Sequence, residues 1–177
     1  SNGGGHASSL YLGRICGDCQ RCKFTALGIA VGEFANPSVW QITVCNQLAV
    51  TIDDALLQQI SRDVYEKNGG VISAVCHGTA GIVRLKLSNG QYLLAGKRVT
   101  GYPEDYEDQS AAYFKHLPFL MRQTIEEHGG LFKAPDPEKP YIEVDGRLVT
   151  GQNYPSAPLV ATAVVQILQQ QPAATKN

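Results

Sequence analysis

Cys76 and His77 stand side by side in the stretch GGVISAVCHGTAGIV, residues 69–83. A thiolate is a strong nucleophile and an imidazole moves protons near neutral pH, so the pair offers covalent chemistry on an electrophilic carbon. The flanks sharpen that reading. An apolar run rich in β-branched residues, Val71 to Val75, precedes the cysteine and small residues follow it. The order Ala74-Val75-Cys76-His77-Gly78 matches a nucleophile elbow, with Ala in place of the first Gly and Cys in place of Ser. Small residues two before and two after the nucleophile let a strand turn sharply into a helix without side chains colliding. The start of that helix carries partial positive charge, which favours thiolate, and its first N–H groups, at His77 and Gly78, offer a place for an oxyanion. A packing cysteine beside an exposed polar histidine is the plainer reading of the same residues, and the strand–turn–helix context argues against it.

Elements able to position such an elbow surround it. In TIDDALLQQISRDVYEKNGG, Leu56, Leu57, Ile60 and Val64 recur at spacings of three and four, which predicts an amphipathic helix stopping at Gly69-Gly70. Val71 to Val75 predicts a strand buried on both faces of a parallel sheet. KRVTGY reads as a further strand, FKHLPFLMRQTIEEHGG as a second amphipathic helix, and Leu131 to Ala134 as a strand. In YIEVDGRLVTG, Asp145-Gly146 sits between alternating apolar runs as a hairpin turn, and SAPLVATAVVQILQQ closes the pattern as a helix. Strands alternating with helices predict a layered α/β sandwich with a mainly parallel sheet. At 177 residues and 44% hydrophobic content, the chain fits one domain over residues 1–177. Within it, residues 1–50 form an atypical N-terminal segment, 51–168 the core and 169–177 a tail.

Fifteen basic against sixteen acidic residues leave a formal charge of −1, which gives no field to draw in nucleic acid or an anionic bilayer. No apolar stretch reaches the roughly 18 residues a membrane span needs, and SNGGGHASSL lacks a basic flank leading into an apolar core. The expectation is a soluble cytoplasmic protein with reduced thiols. Cys16, Cys19 and Cys22 in CGDCQRC have the spacing that lets thiolates converge on zinc or an iron–sulfur cluster, with Cys45 as a fourth ligand. The long gap to Cys45 and the lack of a second C-x-x-C motif favour free thiols, so no metal and no cofactor is expected.

Three segments in order, GGVISAVCHGTAGIV, GKRVTGYPEDYED and DGRLVTGQNYPSA, resemble the ThiJ/PfpI superfamily, also described as class I glutamine amidotransferase-like. Within it they are most similar to the branch of heat-shock-31-like chaperones and glutathione-independent glyoxalases. The resemblance covers roughly residues 53 to 168. It implies a flavodoxin-like three-layer sandwich in which Cys76 is the nucleophile and His77 the neighbouring base. The family's acid lies in the loop after a strand ending in Thr-Gly, and matching that loop here puts Glu107 at the acid position. Glu104, Asp105 and Asp108 stand close by as alternatives, and a cluster of carboxylates is also the composition of a solvated loop. Gly5 and His6 resemble the family's Gly-Gly-His-Gly loop, which lines the oxyanion site, with Ala7 replacing the usual Gly. Between Ser9 and about Val50 the resemblance lapses. The family's leading strands, and its early Glu that hydrogen-bonds the thiol, have no counterpart here, so those strands are expected to be missing or replaced.

The activity implied is conversion of methylglyoxal to D-lactate without glutathione or metal, a lyase reaction of the glyoxalase III type, with a small reactive aldehyde as substrate. Two other classes stand beside it: a stress-responsive holdase binding unfolded clients, and a redox sensor in which Cys76 cycles through sulfenic acid. A homodimer is a further expectation.

Overall fold

The computed structural model describes residues 39–42 and 55–170. Among the described residues the main sheet has four strands in the order β1-β2-β6-β5. The strands are β1 (Val39–Ile42), β2 (Val71–Val75), β5 (Ile142–Asp145) and β6 (Leu148–Gly151). β1 runs parallel to β2 and β2 parallel to β6, while β5 and β6 form an antiparallel hairpin. Asp145 pairs with Leu148 across the turn, and Gly146 adopts the positive φ of 60° that a two-residue hairpin loop demands. β1 lies inside the segment where the family resemblance lapses, yet it supplies a parallel partner for β2 in register from Val39–Val71 to Ile42–Ala74.

The alternation of side chains along β2 and β6 divides the core. Ile72, Ala74 and Leu148 face one layer with Ile82, Val83, Leu93, Leu94 and Ile125. Val71, Val75 and Val149 face the other, where Val160 and Val164 of the C-terminal helix cover them. All five residues of β2 are buried, as expected of a strand covered on both faces. The C-terminal helix, α3 (Ala157–Gln170), forms one outer layer. The opposite layer contains α1 (Ala55–Arg62), continued by one π-helical turn over Asp63–Lys67, and α2 (Met121–Glu127). Leu57 and Ile60 pack against the core and Val64 is buried in it, as the helical spacing predicts. Arg147 locks the end of this helix to the start of β2: its Nη1 donates to the carbonyls of Tyr65 at 2.5 Å and Gly70 at 2.7 Å, and its guanidinium lies 4.1 Å over the Tyr65 ring. The result is an α/β three-layer sandwich of flavodoxin-like type. No helix among the described residues is long and apolar enough to cross a membrane.

Two expectations change. The strand predicted at KRVTGY is only β3 (Arg98–Val99), which pairs in parallel with β4 (Leu131–Phe132) in a separate two-stranded sheet, so neither joins the main sheet. The helix predicted across FKHLPFLMRQTIEEHGG is confined to α2. Phe114–His116 make one 3-10 turn, and Leu117, the residue before Pro118, is held extended at ψ 128°. Proline disfavours the helical conformation in the residue before it, which breaks the pattern at Leu117; α2 then starts after its N-cap, Leu120.

Candidate active site

β2 ends at Val75 in extended conformation, and Cys76 then takes φ 58°. Among the described residues it is the one non-glycine with positive φ, a conformation costing about 1–2 kcal/mol for an L-residue. The following segment, Cys76–Ile82, is a tight 3-10 helix in which Gly78 to Ile82 are all buried. The predicted strand–turn–helix is present, with 3-10 in place of α geometry.

Close backbone approaches hold the elbow. A Cβ on Gly101 would lie 3.0 Å from Thr79 Cβ, and one on Gly151 would lie 2.8 Å from Val160 Cγ2 and 3.4 Å from Val75 Cγ1. Hydrogen bonds tie the same strand ends together. Thr79 Oγ1 donates to the Thr100 carbonyl at 3.2 Å, and the Thr100 N–H donates to Thr150 Oγ1 at 2.9 Å. The chain thus uses Val-Thr-Gly twice, at 99–101 and 149–151, to bring two strand ends against the turn that carries the thiol.

His77 lies between a thiol and a carboxylate. Its Nδ1 is 3.4 Å from Cys76 Sγ, and its Nε2 donates to Glu107 Oε1 at 2.5 Å. The histidine side chain is 26% exposed and the glutamate 9%, so the bond is largely shielded from water. Tyr102 stacks on the imidazole with ring centroids 4.8 Å apart, and its hydroxyl donates to the Tyr106 carbonyl. A cavity of about 20 Å³, enough for a single water, lies beside the ring; His77, Tyr102, Glu104 and Glu107 meet Leu117, Phe119 and Met121 around it.

Among the neighbouring carboxylates, geometry distinguishes one. Glu104 accepts from the backbone N–H groups of Arg122 at 2.8 Å and Gln123 at 3.2 Å, and so caps the first turn of α2. Asp105 pairs with Arg122 at 2.6 Å. Asp108 accepts from the backbone and hydroxyl of Ser110. Glu107 alone of the four reaches His77. Gly78 lies in the turn just after Cys76, and Gly5 and His6 fall outside the described residues. So do Cys16, Cys19, Cys22 and Cys45, and among the described residues no cluster of three or more His, Cys, Asp or Glu side chains could hold a metal ion.

The charges follow from these contacts. Burial is the largest single influence on His77 and opposes its charge, yet the hydrogen bonds and negative charges of Cys76 and Glu107 outweigh it and raise its pKa to about 10. Glu107 is pulled the other way. Burial alone would raise it, but the bonds from His77 and Tyr113 bring it below the ordinary carboxylate value. His77 is thus pushed toward its charged form, where the sequence led us to expect a base of near-neutral pKa. Tyr102 and Tyr113 were not singled out in the sequence; the repeated Val-Thr-Gly, with an aromatic residue following the first copy, was the available signal for Tyr102.

No protein-family model matches the chain. Curated proteins do. The glutathione-independent glyoxalase HSP31 of Saccharomyces cerevisiae is 36% identical over 121 residues, which cover 64% of this chain and 49% of that protein. A bovine glutamine amidotransferase-like class 1 domain-containing protein is 35% identical over 82 residues, covering 46% of this chain and 37% of that protein. Among solved structures, glyoxalase III from Candida albicans superposes with a TM-score of 0.62 at 34% identity, covering 68% of this chain and 52% of that one. The chain spans about half the length of the curated relatives it matches.

Proposed function

Because this chain belongs to the ThiJ/PfpI superfamily, with glutathione-independent glyoxalases among its relatives, we propose that its thiol centre converts methylglyoxal to D-lactate without glutathione. The observation that carries this reading is the continuous contact from Cys76 through His77 to Glu107 at a strained strand-to-helix turn.

In the proposed sequence the Cys76 sulfur attacks the aldehyde carbon, and the charged His77 gives its proton to the oxygen, forming a hemithioacetal. That C–S bond ends the sulfur's proton-holding interaction with the ring. Since Cys76 contributes much of what holds the proton on His77, the imidazole then becomes a competent base. It removes the proton from the former aldehyde carbon to give an enediolate and returns it to the neighbouring carbon, while the hydroxyl proton on the first carbon passes to the oxygen of the second and leaves a thioester. The first carbon is oxidised and the second reduced, so no external redox partner is needed. Water hydrolyses the resulting thioester to lactate and frees the thiol. Glu107 orients the ring and keeps a negative charge beside its Nε2 throughout.

The test is lactate formation from methylglyoxal in glutathione-free buffer, with wild type and Cys76→Ser compared. The reading predicts turnover in the wild type and a loss of at least about a thousandfold in the variant, the scale expected on removing a nucleophile. Undiminished turnover in Cys76→Ser removes the mechanism. No turnover in a folded wild type, combined with suppression of client aggregation that survives the substitution, points instead to a holdase.

A further inference from the structure

Glu107 has two carboxylate oxygens, and only Oε1 meets His77. Oε2 accepts a hydrogen bond from the Tyr113 hydroxyl at 2.8 Å. The donor arrives from the solvent side: Tyr113 is 48% exposed, whereas the Glu107 side chain is 9% exposed. We propose that Tyr113 is a positioning residue of the thiol centre, whose hydroxyl pins the second oxygen of Glu107 so that the first stays aligned with His77.

The terminal torsion of a glutamate is soft and broad, so a carboxylate held at one oxygen swings about that bond. A donor at the other oxygen removes the freedom. The backbone between the two residues is built to return the phenol to the acid. Asp108 fixes Ser110, the Ala111 N–H bonds back to the Asp108 carbonyl at 3.0 Å, and the Phe114 and His116 N–H groups bond to the carbonyls of Ala111 and Tyr113. These successive turns fold the segment over Glu107. The same segment continues into Leu117 and Phe119 on the cavity wall. Tyr113 therefore ties the carboxylate to the loop that encloses the site. Besides Tyr113, His77 and Tyr102 interact electrostatically with Glu107, and Glu104 shares the cavity wall with it. The Tyr113 hydrogen bond favours the ionised acid, and the same bond to Glu107, with the acid's charge behind it, raises the phenol above its ordinary value of 10.0.

Tyr113→Phe keeps the ring and deletes the donor. The catalytic readout rests on the function proposed above: kcat for lactate formation should fall about tenfold with KM nearly unchanged, the size of one hydrogen bond to a charged group. The acid limb of the pH profile should move to higher pH, because Glu107 loses a bond that favours its ionised form. A second arm does not depend on turnover. With ring-labelled tyrosine, NMR titration should show Tyr113 ionising above the ordinary tyrosine range in the wild type and falling back toward it in Glu107→Gln. If the wild type forms no lactate, the proposed function fails while this NMR arm still reads the Tyr113–Glu107 link. The inference is overturned if Tyr113 titrates identically in wild type and Glu107→Gln, or if Tyr113→Phe lowers only thermal stability and leaves kcat and the acid limb in place.

Discussion

Gly151→Ala tests how tightly the elbow is braced. Gly151 ends β6 beside the last residue of β2, and its backbone is not in the left-handed region, so alanine is conformationally allowed there. With space available, such a change would stabilise by about 0.4–1 kcal/mol through the unfolded chain. Space is absent. The new methyl would meet Val160 Cγ2 at 2.8 Å, Ser156 Cβ at 3.1 Å and Val75 Cγ1 at 3.4 Å, against roughly 3.5–4.0 Å for a relaxed carbon contact. Neither close neighbour yields easily. Val160 is fully buried, and Ser156 is held by its hydroxyl donating to Asn153 Oδ1 at 2.6 Å and accepting from the Tyr141 N–H at 3.0 Å. Overpacking of this kind costs about 1–3 kcal/mol, and the rigidity of both neighbours puts the expected value near the top of that range. In thermal unfolding this is a drop of roughly 8–12 °C for a folded unit of this size. Gly90→Ala calibrates the assay, since that glycine has φ +82° with open space around it and should lose only the ~1–2 kcal/mol of a left-handed alanine. A melting temperature for Gly151→Ala equal to or above the wild type refutes the bracing of β6 against β2 and α3.

Two further outcomes follow from the same geometry. Thr100 is fully buried and its Oγ1 has no hydrogen-bond partner among the described residues, so Thr100→Val should leave urea stability unchanged or raise it by up to about 1 kcal/mol, whereas a loss of more than that would show that the hydroxyl is satisfied. The stability difference between wild type and Glu107→Gln should depend on pH in a defined way. His77 is raised from 6.5 to about 10, so its contribution is complete below 6.5 and is lost as pH rises toward 10; Glu107 is lowered from 4.5, so its contribution is present above 4.5 and is lost as pH falls through its folded value. Denaturation series across pH should therefore show the widest gap between about pH 5 and 6.5, narrowing on both sides, and a flat gap contradicts the pairing.

The features legible in the sequence were those set by neighbours along the chain. A β-branched run closed by small residues fixes β2 and its turn, because strand burial and the steric demands of the elbow act within a few residues of Cys76. The Asp145-Gly146 hairpin is equally local. The helix before Gly69 followed from the spacing of Leu57, Ile60 and Val64, all of which pack as that spacing requires. What the sequence left open depends on distant partners. Four carboxylates in GYPEDYED look alike until α2 claims Glu104 through its free N–H groups and Arg122 claims Asp105, leaving Glu107 to face His77. The diversion of β3 away from the main sheet is set by its pairing with β4, more than thirty residues on, a contact no local pattern encodes. Neither Tyr102 nor Tyr113 stands out in the sequence, and their contacts arise only when the loop folds over the imidazole and the acid.

The most direct measurement of the central claim, that Cys76, His77 and Glu107 act as one connected unit, is the titration of the His77 ring by NMR with labelled histidine, in the wild type and in Cys76→Ser. The account predicts a ring that stays charged through neutral pH and titrates near about 10, falling toward the ordinary 6.5 once the sulfur is replaced. A His77 that titrates near 6.5 in the wild type and does not respond to Cys76→Ser would contradict it.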